Sequence, residues 1–311
     1  MVAAFTVAHG CVPHSWVHAV NSLTALRAAA GRLCRATEQC PIGLEVDVRV
    51  APHDAAMVPL LHHDPITAAE ASTCVTLAAW LEELAGIVKS QSGRLGVVKL
   101  DFKDPSAAVT AHSLLAQSFA LYSELSGKFS FWWNADVLAA RRLGTVGPSV
   151  NHPSFTALPE AELYTLIHVF VSQLGVGLSF GWRLPDSFTA YAVTEVLRMR
   201  EFVRRLAAYI AADAGGGGGG GHCFRDVRVR PACVTFAVRY SAVFATGATA
   251  SQEALWQALD NLLGEARRLF ATANGSPPCF LSFWRDRGER LTDAQIGLAK
   301  ARFPGCTVDA D

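Results

Sequence analysis

The stretch Leu44–Val50 alternates apolar and charged residues without a break and holds two carboxylates two residues apart. Successive side chains of a β-strand point to opposite faces, so Glu45, Asp47 and Arg49 share one face and the apolar residues share the other. The apolar face is suited to packing against helices. The charged face is typical of a strand that meets solvent, an ion pair or a metal ion, and this stretch alone leaves the three interpretations open.

A second stretch, Val98–Lys103, repeats this pattern and places Lys99, Asp101 and Lys103 on one charged face. Three carboxylates in a confined space repel one another, and a divalent cation relieves that repulsion. Oxygen donors suit Mg²⁺ or Ca²⁺, with water and substrate oxygens completing the shell. The candidate metal ligands are Glu45, Asp47 and Asp101. The alternative is an internal ion-pair network in which Lys99 and Lys103 neutralise Glu45 and Asp101 without a metal.

Further polar residues stand near the ends of other predicted strands. His18 and His63 are candidates for the general acid and the general base, because imidazole titrates near neutral pH. Lys103 is suited to binding an anionic substrate and to stabilising charge on phosphate oxygens. The remaining candidates for substrate contacts are Asn134, Arg239 and Trp284, with an internal ion pair as an equal interpretation of Arg239. This set favours phosphodiester chemistry over redox or acyl-transfer chemistry.

The elements that must position these residues are strands and helices in alternation, an order that favours a parallel sheet. The predicted strands lie at about 16–18, 43–50, 57–65, 95–104, 129–136, 176–182, 234–240 and 279–285. The predicted helices lie at about 23–38, 76–90, 106–126, 160–174, 189–211, 252–271 and 293–302. Eight strand–helix units predict an α/β fold of the (β/α)8 TIM-barrel type, in which the loops after the strands build the site. The link between the second and third strands is too short for a helix, so the barrel is expected to be somewhat irregular.

Composition indicates one globular domain over residues 1–311, with a flexible glycine-rich insertion at 213–222. The chain has 311 residues, is 51% hydrophobic and carries a formal net charge of zero, so its overall field gives no reason to expect nucleic-acid binding. No apolar run reaches the ~18 residues of a membrane span, and the N-terminus lacks a signal peptide. A cytoplasmic location is expected, whereas an incomplete N-terminus would be consistent with an extracellular protein. The eight cysteines are scattered and predict neither a zinc site nor a disulfide framework.

Four blocks of the sequence resemble the signature blocks of the menorin-like family, in order and in spacing, over roughly residues 15–140. They are Trp16–Ser22, Leu44–Val48, Val98–Lys103 and Trp133–Asp136. That family is related to the glycerophosphodiester phosphodiesterases and the spider-venom sphingomyelinase D enzymes, which have phospholipase C-like barrels.

The resemblance implies roles for individual residues. His18 and His63 match the catalytic pair of the superfamily, and Lys103 matches a contact to the substrate phosphate. Glu45, Asp47 and Asp101 match its Mg²⁺ ligands. His62 is the alternative second histidine, and His63 is preferred because His-Asp is the commoner pairing. The related diesterases usually carry His-Arg-Gly where this chain has His18-Ala19-Val20, so a different loop geometry is expected there.

The sequence therefore predicts a divalent-metal-dependent phosphodiesterase-like protein, a hydrolase or lyase of phosphoric diesters. The expected substrate is a small glycerophosphodiester or a (lyso)phospholipid head group. The alternative is a non-catalytic binding or signalling module that keeps the barrel and captures a protein partner, as the menorin resemblance also implies. Neither the head group nor the attacking nucleophile, water or an internal hydroxyl, follows from the sequence.

Overall fold

The computed structural model describes residues 12–13, 15–33, 35, 41–51, 57–140, 154–184, 188–215, 230–244, 250–272, 275–285 and 290–309. The strands are Ser15–Val17 (β1), Ile42–Arg49 (β2), Leu60–Leu61 (β3), Gly96–Phe102 (β4), Phe129–Ala139 (β5), Gly177–Arg183 (β6), Val234–Arg239 (β7), Cys279–Trp284 (β8) and Thr307–Val308 (β9). The helices are Leu23–Leu33 (α1), Ala68–Ala71 (α2), Leu77–Val88 (α3), Pro105–Gln117 (α4), Phe119–Ser126 (α5), Glu160–Leu174 (α6), Val193–Gly215 (α7), Tyr240–Val243 (α8), Ala250–Leu269 (α9) and Asp293–Arg302 (α10).

Eight of these strands form a parallel sheet in the order β1-β2-β4-β5-β6-β7-β8-β9, with helices between successive strands. Parallel neighbours need long crossover connections, which the helices supply. The sheet curves into a nearly closed (β/α)8 barrel, so the predicted fold class is confirmed. Strands β1 and β9 stand at the two ends of the hydrogen-bonded order.

The third predicted strand is not a barrel strand. Only Leu60 and Leu61 of that stretch are extended, and they pair antiparallel with Arg49 and Val48 at the end of β2. The short link explains the difference, because it returns the chain as a hairpin and leaves no room for a crossover helix. The eighth barrel strand is instead Thr307–Val308, which pairs parallel with β8 and follows the last predicted helix.

The outer faces of the strands are apolar and pack beneath the helices. Leu44, Val46 and Val48 of β2 share one buried cluster with Leu26 of α1 and Trp80 of α3. This is the alternation that the sequence predicted, and it leaves the charged residues of β2 and β4 facing the inside of the barrel.

The inside of the barrel has a lower apolar layer, toward the amino ends of the strands, and an upper polar layer, toward their carboxyl ends. The lower layer is the buried cluster Trp16, Val97, Trp132, Cys233 and Phe280. Each of these residues is followed, two positions later on the same strand face, by a polar residue: His18, Lys99, Asn134, Thr235 and Ser282. The lower layer closes the bottom of the barrel by hydrophobic packing, and we call it the floor of the barrel. The polar layer lies on top of it, near the carboxyl ends of the strands.

Two glycines let this floor close. A Cβ atom at Gly43 would lie 2.3 Å from the ring of Trp16, and one at Gly177 would lie 2.5 Å from the sulfur of Cys233. Larger residues at these positions would push the floor side chains apart.

The remaining predicted elements agree in position but differ in their ends. The helix predicted at 106–126 is divided at Ser118 into α4 and α5. Helix α7 extends to Gly215, and the rest of the glycine-rich segment predicted at 213–222 lies outside the described residues. Within the described part of the chain, no helix combines the length and apolarity that a membrane span requires.

Candidate functional site

The predicted metal ligands converge inside the barrel because β2 and β4 are adjacent and in register. Asp47 pairs with Asp101, and Glu45 pairs with Lys99, at the level of the Cα atoms. One oxygen each from Glu45, Asp47 and Asp101 lies within 4.8 Å of the other two. We call these three residues the carboxylate cluster.

Two lysines of β4 and its C-terminal loop neutralise this cluster. The Lys103 ammonium lies 2.7 Å from Asp47 Oδ1 and 2.5 Å from Asp101 Oδ2. Lys99 forms an ion pair with Oε2 of Glu45. The alternative network that the sequence left open is therefore present, and it involves the residues proposed as metal ligands.

Two asparagines hold the second oxygens of the aspartates. Asn21 Nδ2 donates to Asp47 Oδ2 at 2.7 Å, and its Oδ1 accepts from the backbone N–H of Asp47 at 2.9 Å. Asn134 Nδ2 donates to Asp101 Oδ1 at 2.7 Å. The asparagines fix both carboxylate planes, as outer-shell partners do in metal sites. Asn134, a predicted substrate contact, is here a partner of a predicted metal ligand.

Sequence reasoning did not assign a role to Asn21. The residue follows the first histidine by three positions, in a loop where Ala19 adopts a positive φ of 48°. The backbone N–H of Asn21 donates to the carbonyl of Ala19 at 2.7 Å. This tight loop turns both side chains toward the carboxylate cluster, His18 to Glu45 and Asn21 to Asp47. An amide near a predicted strand end was the available signal, but its partner, 26 residues away, depends on the barrel.

His18 bridges the two ends of the hydrogen-bonded strand order. Its Nδ1 lies 3.1 Å from Glu45 Oε2 and its Nε2 lies 3.0 Å from Asp309 Oδ2. Burial alone would lower the pKa of His18, but the two carboxylates outweigh it and raise the pKa to about 9. His18 is therefore an imidazolium at neutral pH.

Burial and ion pairing act in opposite directions on the other charged groups. Burial alone would raise the pKa of Glu45, but Lys99 and His18 hold it well below its ordinary value. Burial alone would lower the pKa of Lys103, but Asp101 and Asp47 raise it. Glu45 and Lys103 are consequently charged at neutral pH, and Glu45 needs no proton to be stable inside the barrel.

The second predicted histidine lies on the hairpin rather than at the end of a barrel strand. The exposed His63 ring bonds to the adjacent Asp64, with Nδ1 2.9 Å from Oδ1. Arg49 Nε donates to the carbonyl of His63 at 2.9 Å, which ties the hairpin to the end of β2. Within the described residues, no hydrogen bond or ion pair joins the His63 ring to the carboxylate cluster.

His62, the alternative, faces a cavity beside the site. Its Nδ1 lies 2.8 Å from the carbonyl oxygen of Asp64. The cavity, of about 410 Å³, is lined by Asn21, Leu61, His62, Glu70, Cys74 and their neighbours. Asn21 thus contacts the carboxylate cluster through Asp47 and also lines the cavity that His62 faces.

The two remaining predicted substrate contacts meet on the opposite side of the barrel. Arg239 pairs with Trp284 in register, and its guanidinium lies 4.9 Å from the Trp284 ring centroid in a cation–π contact. Its Nη1 donates to the carbonyl of Phe188 at 2.9 Å. The ring and the carbonyl fix the guanidinium at the carboxyl ends of β7 and β8.

Asp136, in the C-terminal half of β5, adds a carboxylate of a different character. Burial and the nearby Asp101 raise its pKa to about 6. The residue nevertheless reaches solvent, so water screens part of this shift. A Cβ atom at Gly181 would lie 2.2 Å from Asp136 Oδ1, so the glycine makes room for this side chain.

Gly177–Gly181 has the Gly-x-Ser-x-Gly spacing of a nucleophile elbow, but the structure gives it another role. The segment runs inside β6, whereas an elbow requires a sharp strand-to-helix turn. Ser179 is buried, and within the described residues no hydrogen bond connects it to a histidine. This serine belongs to the polar layer of the barrel.

The donor set is chemically suited to a hard divalent cation, because three carboxylates present oxygens within 4.8 Å of one another. Glu45, Asp47 and Asp101 are the residues that would hold it. The Lys103 ammonium would have to leave this position before a cation binds there, because it contacts one oxygen each of Asp47 and Asp101.

Comparison with known proteins gives one match. The sequence model of the Menorin N-terminal domain matches residues 13–262, a span that includes the carboxylate cluster, both lysines and the histidines discussed above. No curated protein and no solved structure matches the chain.

Proposed function

This chain belongs to the menorin family, and we propose that it is a divalent-metal-dependent phosphodiesterase. The proposed substrates are glycerophosphodiesters or (lyso)phospholipid-type diesters. The observation that carries the proposal is the convergence of His18, the carboxylate cluster and Lys103 at the carboxyl ends of neighbouring barrel strands. This is the face on which (β/α)8 barrels build their sites. The relation to glycerophosphodiester phosphodiesterases and sphingomyelinase D is part of the proposal, and so is a cytoplasmic location.

The charges favour a phosphodiester over a neutral substrate. Lys103 carries a point charge on a flexible stem and is able to donate to phosphate oxygens, and Arg239 offers a guanidinium across the barrel mouth. A cation held by the carboxylate cluster would supply further stabilisation of the charge that develops on the phosphate oxygens. A substrate that spans the mouth of the barrel would contact Lys103 on one side. On the other side it would contact Arg239, whose guanidinium lies over the Trp284 ring.

The protonation state of His18 supports the role of general acid. With a pKa of about 9, His18 holds a proton at neutral pH and is suited to be the general acid that protonates the leaving alcohol. The general base would be His63 or His62. That base takes a proton from the attacking water or internal hydroxyl as the new bond to phosphorus forms and the bond to the leaving oxygen breaks.

The test is hydrolysis of a panel of glycerophosphodiesters and lysophospholipids with and without Mg²⁺. Wild type is expected to release the alcohol in a Mg²⁺-dependent manner, and His18→Gln is expected to lose ~10²-fold or more of the rate, since proton transfer contributes that much. His112→Gln is the matched control, because His112 lies on α4 against Phe170. Equal inertness of wild type and His18→Gln across the panel would sink the proposal.

A second candidate is a binding module that keeps the barrel without catalysis. The ion pairs of Lys99 and Lys103 favour it, because a network that neutralises itself is stable without a metal. The same assay separates the two candidates. A module predicts no turnover of any diester and no dependence of its stability on Mg²⁺.

A further inference from the structure

We propose that Lys103 is a cation gate: its ammonium takes the place of a divalent cation in the ligand-free site, and a phosphate group admits the cation by drawing the ammonium away. The inference rests on the proposed function, because it requires the carboxylate cluster to be a metal site. It adds a coupling between two ligands of the site, because the cation and the anionic substrate would each strengthen the binding of the other.

The contacts of the two aspartates place the ammonium where the cation would bind. Asp47 gives one oxygen to Asn21 and the other to Lys103. Asp101 gives one oxygen to Asn134 and the other to Lys103. The asparagines fix the orientation of both carboxylates, so the oxygens that remain for a cation are those that Lys103 contacts.

The charge balance makes simultaneous occupancy unfavourable. By formal charge, the three carboxylates of the cluster face the two ammoniums of Lys99 and Lys103. A dication added with both ammoniums in place would leave an uncompensated positive charge inside the barrel. Moving the Lys103 ammonium toward the mouth leaves a cluster that attracts the dication, and a phosphate at the mouth pairs with the displaced ammonium.

The two lysines differ in their freedom to move. Lys99 lies within β4, its side chain is 10% exposed, and its ammonium lies 5.0 Å from the ring centroid of Trp16. Lys103 follows the last residue of β4, and its side chain is 19% exposed. A flexible four-carbon stem lets its ammonium swing toward solvent. Lys103 is therefore the gate, and Lys99 is a fixed partner of Glu45.

The experiment is calorimetric titration of Mg²⁺ into the whole protein, with and without a fixed concentration of inorganic phosphate in both solutions. Phosphate is expected to tighten Mg²⁺ binding to wild type by at least about 5-fold, the lower end of typical coupling between sites. Lys103→Met is expected to bind Mg²⁺ at least ~10-fold more tightly than wild type without phosphate, and to gain little from phosphate. Lys89→Met, which removes an exposed lysine after α3, is the matched control and should behave as wild type.

The outcomes separate the gate from the proposed function. Mg²⁺ affinity that is equal or weaker in Lys103→Met, in a protein that does bind Mg²⁺, overturns the gate and leaves the metal site in place. No Mg²⁺ binding by wild type or variant, with or without phosphate, overturns both. The wild-type titrations need no variant, so a failure of phosphate to tighten Mg²⁺ binding overturns the gate even if Lys103→Met does not fold.

Discussion

His18 is the residue in which proton chemistry and stability are most closely joined. Each ring nitrogen faces a carboxylate, Glu45 at 3.1 Å and Asp309 at 3.0 Å, and its pKa is raised to about 9. In the unfolded chain a histidine titrates near pH ~6.5. The folded protein therefore binds this proton more tightly than the unfolded chain does, and the proton stabilises the fold.

We expect the stabilising contribution of His18 to depend on pH in one direction. Because its folded pKa is raised, the contribution is complete below pH ~6.5 and is lost as pH rises through about 9. The difference in the free energy of unfolding between wild type and His18→Gln should therefore shrink across that window. Urea denaturation at a series of pH values measures it.

His112 provides the control for this pH series, because burial lowers its pKa and gives a dependence of opposite sign. The difference between wild type and His112→Gln should not shrink between pH 6.5 and 9. A difference for His18→Gln that stays constant from pH 6 to pH 10 would contradict the assignment of the imidazolium.

At the scale of elements, the site depends on the close pairing of β2 with β4. Gly96, the first residue of β4, pairs with Ile42, the first residue of β2. A Cβ atom at Gly96 would lie 1.7 Å from the carbonyl oxygen of Ile42, and its φ is 154°. The glycine therefore allows the approach that brings the aspartates of the two strands together five residues later.

Gly96→Ala is expected to destabilise the protein by at least about 2 kcal/mol. The added methyl group would clash with the backbone carbonyl of Ile42, which cannot move aside as the end of a side chain can. Gly86→Ala is the matched control. A Cβ atom there, within α3, would meet no atom within 4 Å, so that variant should be neutral or up to ~1 kcal/mol more stable. Thermal and urea unfolding measure both, and equal stability of the two variants would refute the close-approach argument.

The elements also show what the sequence was able to predict. The long strands β2 and β4 and their charged faces were predicted because alternation over seven or eight residues is a strong signal. Strands β3 and β9 have two residues each, so no period exists to recognise. As a result, the hairpin was mistaken for a barrel strand and the eighth barrel strand was missed.

The residues of the site also divide into those that the sequence predicted and those that it did not. The carboxylate cluster and Lys103 were predicted because they repeat along two strands. Asn21 and Asp309 were not, because the partner of Asn21 lies 26 residues away and the partner of Asp309, His18, lies at the other end of the strand order. Side-chain contacts of that kind follow from strand order and closure, which single stretches of sequence do not contain.

At the scale of the whole molecule, side chains complete the closure of the barrel. Among the described strands, β1 pairs with β2 and β9 pairs with β8, and the hydrogen-bonded order ends at both. The His18–Asp309 contact joins these ends, and Arg285 lies 3.9 Å from the same carboxylate. We call this contact between the ends of the strand order the seam. The proposed general acid His18 is therefore also part of the seam, and loss of the seam would move His18 away from Glu45.

Asp309→Ala tests this coupling between closure and site. Without the carboxylate, we expect the pKa of His18 to fall, because the Asp309 hydrogen bond is one of the causes that raise it. We also expect faster hydrogen exchange at the backbone amides of β1 and β9, while β4 and β5 in the middle of the sheet keep their protection. Histidine NMR titration and hydrogen-exchange mass spectrometry measure the two effects.

Asp260→Ala is the matched control, because Asp260 pairs with Arg302 of α10 at 2.8 Å and lies outside the seam. It removes the same charge from an ion pair between α9 and α10, and it should change neither the His18 pKa nor exchange in β1. Unchanged exchange of β1 in Asp309→Ala would show that backbone and floor packing hold the barrel shut. A fall in the His18 pKa with unchanged exchange would restrict Asp309 to the chemistry of the acid, whereas both changes together would make closure and catalysis one property of this contact.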